Sequence, residues 1–560
     1  MFDIYYKKNN NDVLFESFEN IDIENPQNFI PLYGKYFSLK PGNYININLN
    51  HHFHIHEVLS TIEKNKFSCK IKSEKKILLR NSFFKFSPLL DPVKYMVGEY
   101  DSLGENERKS LPNLENNICH QKILDMNNSA YTDSFFSYLS SRLLNNCYFP
   151  HGLDFYGSFL GIQKKFLYNI ADDIEYIHGS THFHKNQDIK FKIENIDLSM
   201  IIDINTRNYK KKLNIGKNIS NKSTIPINND DFDEVFHLSD ISSNGQENAD
   251  LIFEFDLPKT QTKKTNSTCS SRSSNTESSN IDEISESDES YESYESGESG
   301  ESGSEITDLE VNTILYNFPV QIICLECLDA TLDSLLEDEI MNTEEWRACL
   351  LQIIMTLIAY QKVFDFTHND LHTNNIMFSK TEKQYLYYRY NQKYYKVPTF
   401  GRIFKIIDFG RAIYKFKGKL MCSDSYNKKG DAATQYNCEP YFNPKKPRLE
   451  PNPSFDLCRL ACALFDHFVE DDVEPTGMMA KLMVEWTKDD KGRNILYKKN
   501  GDERYPEFKL YKMIARTVHK HTPQAQLERP LFKKYLVTRK KVGGKTKFVD
   551  IDTMPILTEA

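Results

Sequence analysis

The chain has 560 residues, 39% of them hydrophobic and 13% aromatic. That is enough for a sizeable core, in roughly two to four domains or one large domain with insertions. Its net charge of -9 is concentrated in one Ser/Glu tract, so the remainder is near balance and lacks the basic footprint of a nucleic-acid binder. The cysteines have no regular spacing, and Cys324 and Cys327 have no second pair to complete a zinc site, so free thiols in a reducing compartment are expected.

Residues 1–40 pattern weakly and read as an N-terminal extension; the opening MFDIYYKKNNN has no apolar signal core. No apolar run approaches the roughly 18 residues of a membrane span. The expectation is therefore a soluble, cytoplasmic protein with no membrane partner. Strand-like runs follow in YININ, FSCKI and ILLRNSFFKF, between about 41 and 87. HHFHIH sets His52, His54 and His56 on one strand face, but no acidic or cysteine partner is near, so it reads as strand surface rather than a metal site. Residues 129–144 place Phe136, Leu139 and Leu143 on one helical face. CYFPHGLDFYGSFLG then reads as turns and short strands.

From 188 to 310 the pattern decays into an insertion. Its part from 259 to 307, rich in Ser and Glu and poor in aliphatics, cannot bury enough area to offset chain entropy and is expected to be disordered. TILYNFPVQIICLECLD marks a buried strand. Residues 343–366 form the strongest helix, with Trp346, Leu350, Ile353, Ile354, Leu357 and Ile358 in one stripe and Thr343 and Glu345 at its start. Next come the polar stretch THNDLHTNNIMF, a Tyr-rich hairpin turning at Asn391-Gln392, and the strand IFKII leading straight into Asp408.

Asp370, Asn375 and Asp408 thus stand at the ends of packed elements, where hard oxygens suit Mg²⁺ with a polyphosphate. Phosphoryl transfer asks little else of a protein: a held metal, positioned phosphates and a carboxylate to orient the acceptor hydroxyl.

His368, Asp370, Leu371 and Asn375 in H-x-D-L-x-x-x-N, followed by D-F-G at Asp408, resemble the protein-kinase superfamily. Together with FFKFSPLLDP, YFPHGLDFYGSF and RYPEFKLYKMIARTVHKHTP, the layout resembles the serine/threonine-kinase-like proteins of large nucleocytoplasmic DNA viruses, over roughly 60–185 and 312–536. The resemblance implies an α+β, two-lobed fold: a β-rich lobe over 41–323 containing the insertion, a helical lobe over 324–540 and a tail over 541–560. It implies ATP- and Mg²⁺-dependent transfer to Ser/Thr of protein substrates, with alternatives in a pseudokinase and a small-molecule kinase. It also implies a viral protein in host cytoplasm or virion. Asp370 would be the catalytic carboxylate, and Asn375 and Asp408 would hold Mg²⁺. Lys85 would pair the ATP phosphates and Asp133 would pair Lys85, one methylene shorter than the usual Glu. ATP would lie against the connection from Glu326 to Asp329, and Asp456 would brace the loop from below.

Four departures stand out. Asn369 replaces the Arg that usually meets a phosphorylated activation segment. His372 stands where Ser/Thr kinases have Lys. No Gly-rich loop occurs between 50 and 80, and CEPYFNP only loosely stands in for A-P-E.

Overall fold

The computed structural model describes residues 3–194 and 311–559, except 9, 102–103, 105–106, 108, 116–117, 339, 470–473, 507 and 543–545. The tract expected to be disordered, 259–307, lies outside the described residues.

The chain is a mixed α+β molecule built on a curled antiparallel sheet. Six strands run in the order Ile23–Gln27, Phe155–Asn169, Asn312–Glu326, Ile77–Pro88, Lys66–Lys72 and His54–Glu63. A seventh, Phe191–Ile193, pairs with the far half of Asn312–Glu326. The two longest strands share a register from Phe155 opposite Leu325 to Asn169 opposite Asn312. Residues 318–325 are buried without alternation, as a strand covered on both faces must be.

Alternation still decides which face each side chain meets. Phe84 pairs with Cys324, and Lys85 with Ile323 on the opposite face. The helix Asp12–Phe18 covers the first face, where Phe18 meets Phe84 and Phe159 at centroid distances of 6.3 and 5.7 Å. The helix Ser129–Cys147 covers the second, where Tyr138 meets Phe155 at 5.9 Å. A register shift between Phe155 and Gly157 lets Phe155 and Phe159 serve opposite faces.

Three sequence expectations change here. Residues 3–40 are no loose extension: Ile23–Gln27 is an edge strand and Leu14, Phe18 and Leu32 are core. CYFPHGLDFYGSFLG, expected as turns and short strands, leads instead into one long strand, Phe155–Asn169. Order continues past 188, because Phe191–Ile193 has a partner strand 120 residues on in the chain that local pattern does not reveal.

The helical region centres on Thr343–Phe364, whose N-cap is Asn342 rather than Thr343. Asn342 Oδ1 accepts from the Glu344 and Glu345 amides, and Glu345 reaches back to the Asn342 amide at 2.9 Å. This helix is also long and apolar enough to cross a bilayer, contrary to the reading that no run approaches that length, but 89% of its apolar window is buried inside the molecule. Around it lie the helices Phe455–Phe468, Met478–Trp486 and Phe508–Thr517.

Among the described residues three small sheets complete this region: Ala330–Thr331, Ile376–Lys380 and Arg402–Ile406; a four-stranded one built on the hairpin Tyr385–Tyr390 and Lys393–Pro398; and the pair Ile413–Phe416 and Lys419–Cys422. Asn391 and Gln392 turn that hairpin with φ of 48° and 60°, the twist a two-residue turn requires. Of the residues 541–560, expected as a tail, the described part from 546 to 559 packs down. Val549–Asp550 joins the Tyr-rich sheet, and the Leu557 amide donates to Val363 O at 2.9 Å.

Candidate active site

THNDLH leaves the central helix and folds over a buried carboxylate. Asp456, at the start of Phe455–Phe468, is wholly buried and accepts the His368 and Asn369 amides at 2.9 Å each. Two N–H bonds from consecutive residues fix the loop's path. Asn369 takes a left-handed φ of 65°, which Asn tolerates better than most residues. His368 Nε2 lies 2.9 Å from Ile407 O, and His368 Nδ1 accepts from the Asp370 amide at 3.3 Å, so the Nε2–H tautomer satisfies both.

Lys85 reaches from the sheet to two carboxylates. Its Nζ lies 2.7 Å from Asp133 Oδ2 and 2.8 Å from Asp408 Oδ1. The other Asp133 oxygen accepts the Phe409 amide at 2.8 Å, so the shorter Asp side chain ties the helix to both Lys85 and the D-F-G segment. Burial works against the charge on Lys85, but Asp133 and Asp408 outweigh it and raise its pKa. Burial raises Asp133, with Lys85 opposing. For Asp408 the balance is reversed: Lys85 overcomes burial and holds the carboxyl down to about 2.

The helix that carries Asp133 is placed from its first turn. Asn128 caps it, accepting from the Ala130 amide at 3.1 Å and donating to Leu89 O and Lys122 O. Asp424 accepts the Ser129 amide at 3.0 Å and pairs with Lys122. The same segment docks at Arg411, whose Nη2 lies 2.6 Å from Asp431. Asn369 joins that contact, donating to Arg411 O at 3.1 Å and accepting the Tyr436 hydroxyl at 2.7 Å.

Asp370 itself accepts the Tyr511 hydroxyl on Oδ1 at 2.7 Å. Burial would raise its pKa, but Arg411, His372 and Arg459 and the tyrosine bond hold it below the usual carboxylate range. Tyr511 and Arg459 were not singled out in the sequence. The available signal was a tyrosine on the apolar face of FKLYKMIA, whose buried hydroxyl needs a polar partner.

Asn375 donates from Nδ2 to Asp370 O at 2.9 Å and lies 3.1 Å from His372 Nε2. Spending both N–H groups this way leaves Oδ1 as the atom that would face a cation. Asp408 likewise keeps a second oxygen on a side chain that is 46% exposed, so each residue offers a hard oxygen of the kind that suits Mg²⁺ shared with phosphates and water. Among the described residues, no group of three or more His, Cys, Asp or Glu forms a protein-only metal cage.

Glu326 and Asp329 lie apart from this cluster in their bonding. Glu326 Oε1 accepts Lys405 Nζ at 2.5 Å and the Asp154 amide at 2.7 Å, while Lys405 also donates to Gly152 O. Asp329 Oδ2 accepts the Lys380 amide at 2.8 Å and holds the end of a strand. Both carboxylates bond within the connection against which ATP is expected to lie. The reason is local: a buried lysine and strand-end amides need acceptors. No family model matches the chain, and no curated protein matches it.

Proposed function

We propose that this protein is a two-lobed, kinase-like phosphotransferase, using ATP and Mg²⁺ to phosphorylate Ser or Thr hydroxyls of proteins. The observation that carries the reading is the bridge from Lys85 to Asp133 and Asp408, beside a loop that presents Asp370 and Asn375. The sheet supports it too. Five consecutive strands run in chain order 1-2-3-5-4, and the helix with Asp133 is inserted between the third and the fourth.

In this reading Lys85 binds the α- and β-phosphates, while Asn375 and Asp408 hold Mg²⁺. The metal supplies charge neutralisation on the phosphates. Asp370 orients the acceptor hydroxyl and takes its proton. The acceptor oxygen bonds to the γ-phosphorus, the bond from that phosphorus to the β-bridging oxygen breaks, and ADP departs. Arg411 already meets the carboxylate of Asp431, so the segment has an internal anion where other enzymes of this kind use a phosphate. The chemistry requires no membrane or nucleic acid.

The test is transfer from γ-labelled ATP to a protein panel and to the chain itself, with and without Mg²⁺. Mg²⁺-dependent labelling lost in Asp370→Ala is expected; equal labelling of both proteins overturns the reading. One observation favours a binding module instead. The hairpin between His54–Glu63 and Lys66–Lys72 has no glycine and turns through Lys64 and Asn65, with φ of 62° at Asn65. Glycines elsewhere allow backbone to approach phosphates closely. Nucleotide-dependent thermal stabilisation without any transfer would select that reading.

A further inference from the structure

We infer that Tyr511, held by Arg459, is a positioning residue for Asp370: its hydroxyl fixes one carboxylate oxygen so that the other is presented to the acceptor. The inference rests on the phosphoryl-transfer reading and adds a part to it. Tyr511 stands on Phe508–Thr517, and Arg459 stands on Phe455–Phe468, three residues after the Asp456 that holds the loop backbone. The same helix therefore reaches the loop twice, once at its amides and once, through Tyr511, at its carboxylate.

The tyrosine is wholly buried and cannot swing away. Its hydroxyl receives Arg459 Nε at 3.0 Å and donates to Asp370 Oδ1 at 2.7 Å, so both of its polar roles are satisfied. The Arg459 and Arg411 guanidinium carbons lie 5.2 and 5.6 Å from the ring centroid. Phe508 stacks on the ring at 5.4 Å. A carboxylate's terminal torsion is broad and soft, so an unbraced Asp would rotate among several orientations. Here one oxygen is pinned, and Oδ2 accepts no hydrogen bond from the described residues.

A tyrosine hydroxyl on this carboxylate could instead be a plug occupying the acceptor's place. The packing favours positioning, because the ring is locked between helices rather than carried on a loop that could withdraw.

The experiment compares wild type with Tyr511→Phe, which keeps the ring, in steady-state transfer assays, alone and in an Asp370→Asn background. The expected result is a fall in kcat of roughly 10- to 100-fold, the scale of a misplaced reacting group, with KM for ATP unchanged. In the Asp370→Asn background, Tyr511→Phe should cause no further loss. Arg459→Lys leaves the hydroxyl in place and should lower kcat less, which keeps the test open if Tyr511→Phe folds poorly. An unchanged kcat, additive losses in the double variant, or a rise in KM for ATP that tracks a lower Tm overturns positioning. A raised kcat overturns it in favour of the plug. Wild type that binds nucleotide but transfers nothing overturns the phosphoryl-transfer reading and this inference with it, and is recognised before any variant is made.

Discussion

The two halves of the candidate site are built differently. Around Asp456 everything is closed: Asp456, His368 and Asn369 are wholly buried, and each polar group has an internal partner. Around Lys85 the site is open, with 29% of the Lys85 side chain and 46% of the Asp408 side chain exposed. Closed carboxylates build a frame, since a buried acceptor with matched donors fixes backbone at small net cost. Open ones are left to meet a ligand. Asp370 lies at the join, with one oxygen bound into the frame and the other accepting no hydrogen bond from the described residues.

The difference can be broken most severely at that join. Asp370→Ala should reduce transfer by about 10³-fold, within the range for loss of a general base, while Tm hardly moves. Labelled-phosphate assays and thermal melts on the same preparations check this; a large fall in Tm would place Asp370 within the frame instead.

Asp456→Asn should do the opposite, damaging the fold as well as the activity. An amide can accept only one of the two backbone N–H groups and turns a donor on the other, costing about 3 kcal/mol. Denaturant unfolding measures the loss, and a stability equal to wild type would remove Asp456 from the frame.

Acid should find a second closed point, His151. This histidine is fully buried between Phe404 O, 2.6 Å from Nδ1, and the Tyr388 hydroxyl, 2.7 Å from Nε2. Burial pushes its pKa down to about 4, with Lys405 adding to the shift and the Phe404 bond opposing it. Between about pH 6.5 and 4 the unfolded chain binds the proton and the folded chain does not. Stability therefore rises with pH across that window and is lost as pH falls, by about 3 kcal/mol in all. His151→Gln should flatten this part of the stability profile, and an unchanged slope would show that other groups set it.

The smallest effect is expected where neither half is touched. Glu194 N donates to Asn312 O at 2.9 Å, so the described chain leaves and re-enters the sheet at neighbouring positions. Replacing 195–310 with a short turn should leave Tm unchanged or slightly raised, since shortening a loop lowers its closure entropy. Loss of cooperative melting would show that the segment supports the sheet.

Local pattern was enough for several elements. The period of apolar residues gave the helices Ser129–Cys147 and Thr343–Phe364 to within a few residues, and Asn391-Gln392 gave the hairpin turn. His368, Asp370, Asn375 and Asp408 could also be named as candidates, because three of them stand at the ends of apolar elements and all four fall on the motifs that resemble a kinase. Lys85 and Asp133 could be named as candidates, but only folding brought them to 2.7 Å, since the strand and the helix are separated by a long connection. Tyr511 and Arg459 could not be linked to Asp370 at all. Their positions depend on how three helices cross, which no single segment encodes. The N-terminal strand Ile23–Gln27 and the packed C-terminal segment were missed for the same reason. Sequence period reports which face of an element is apolar; which partner covers that face is decided by topology, through contacts between residues hundreds of positions apart.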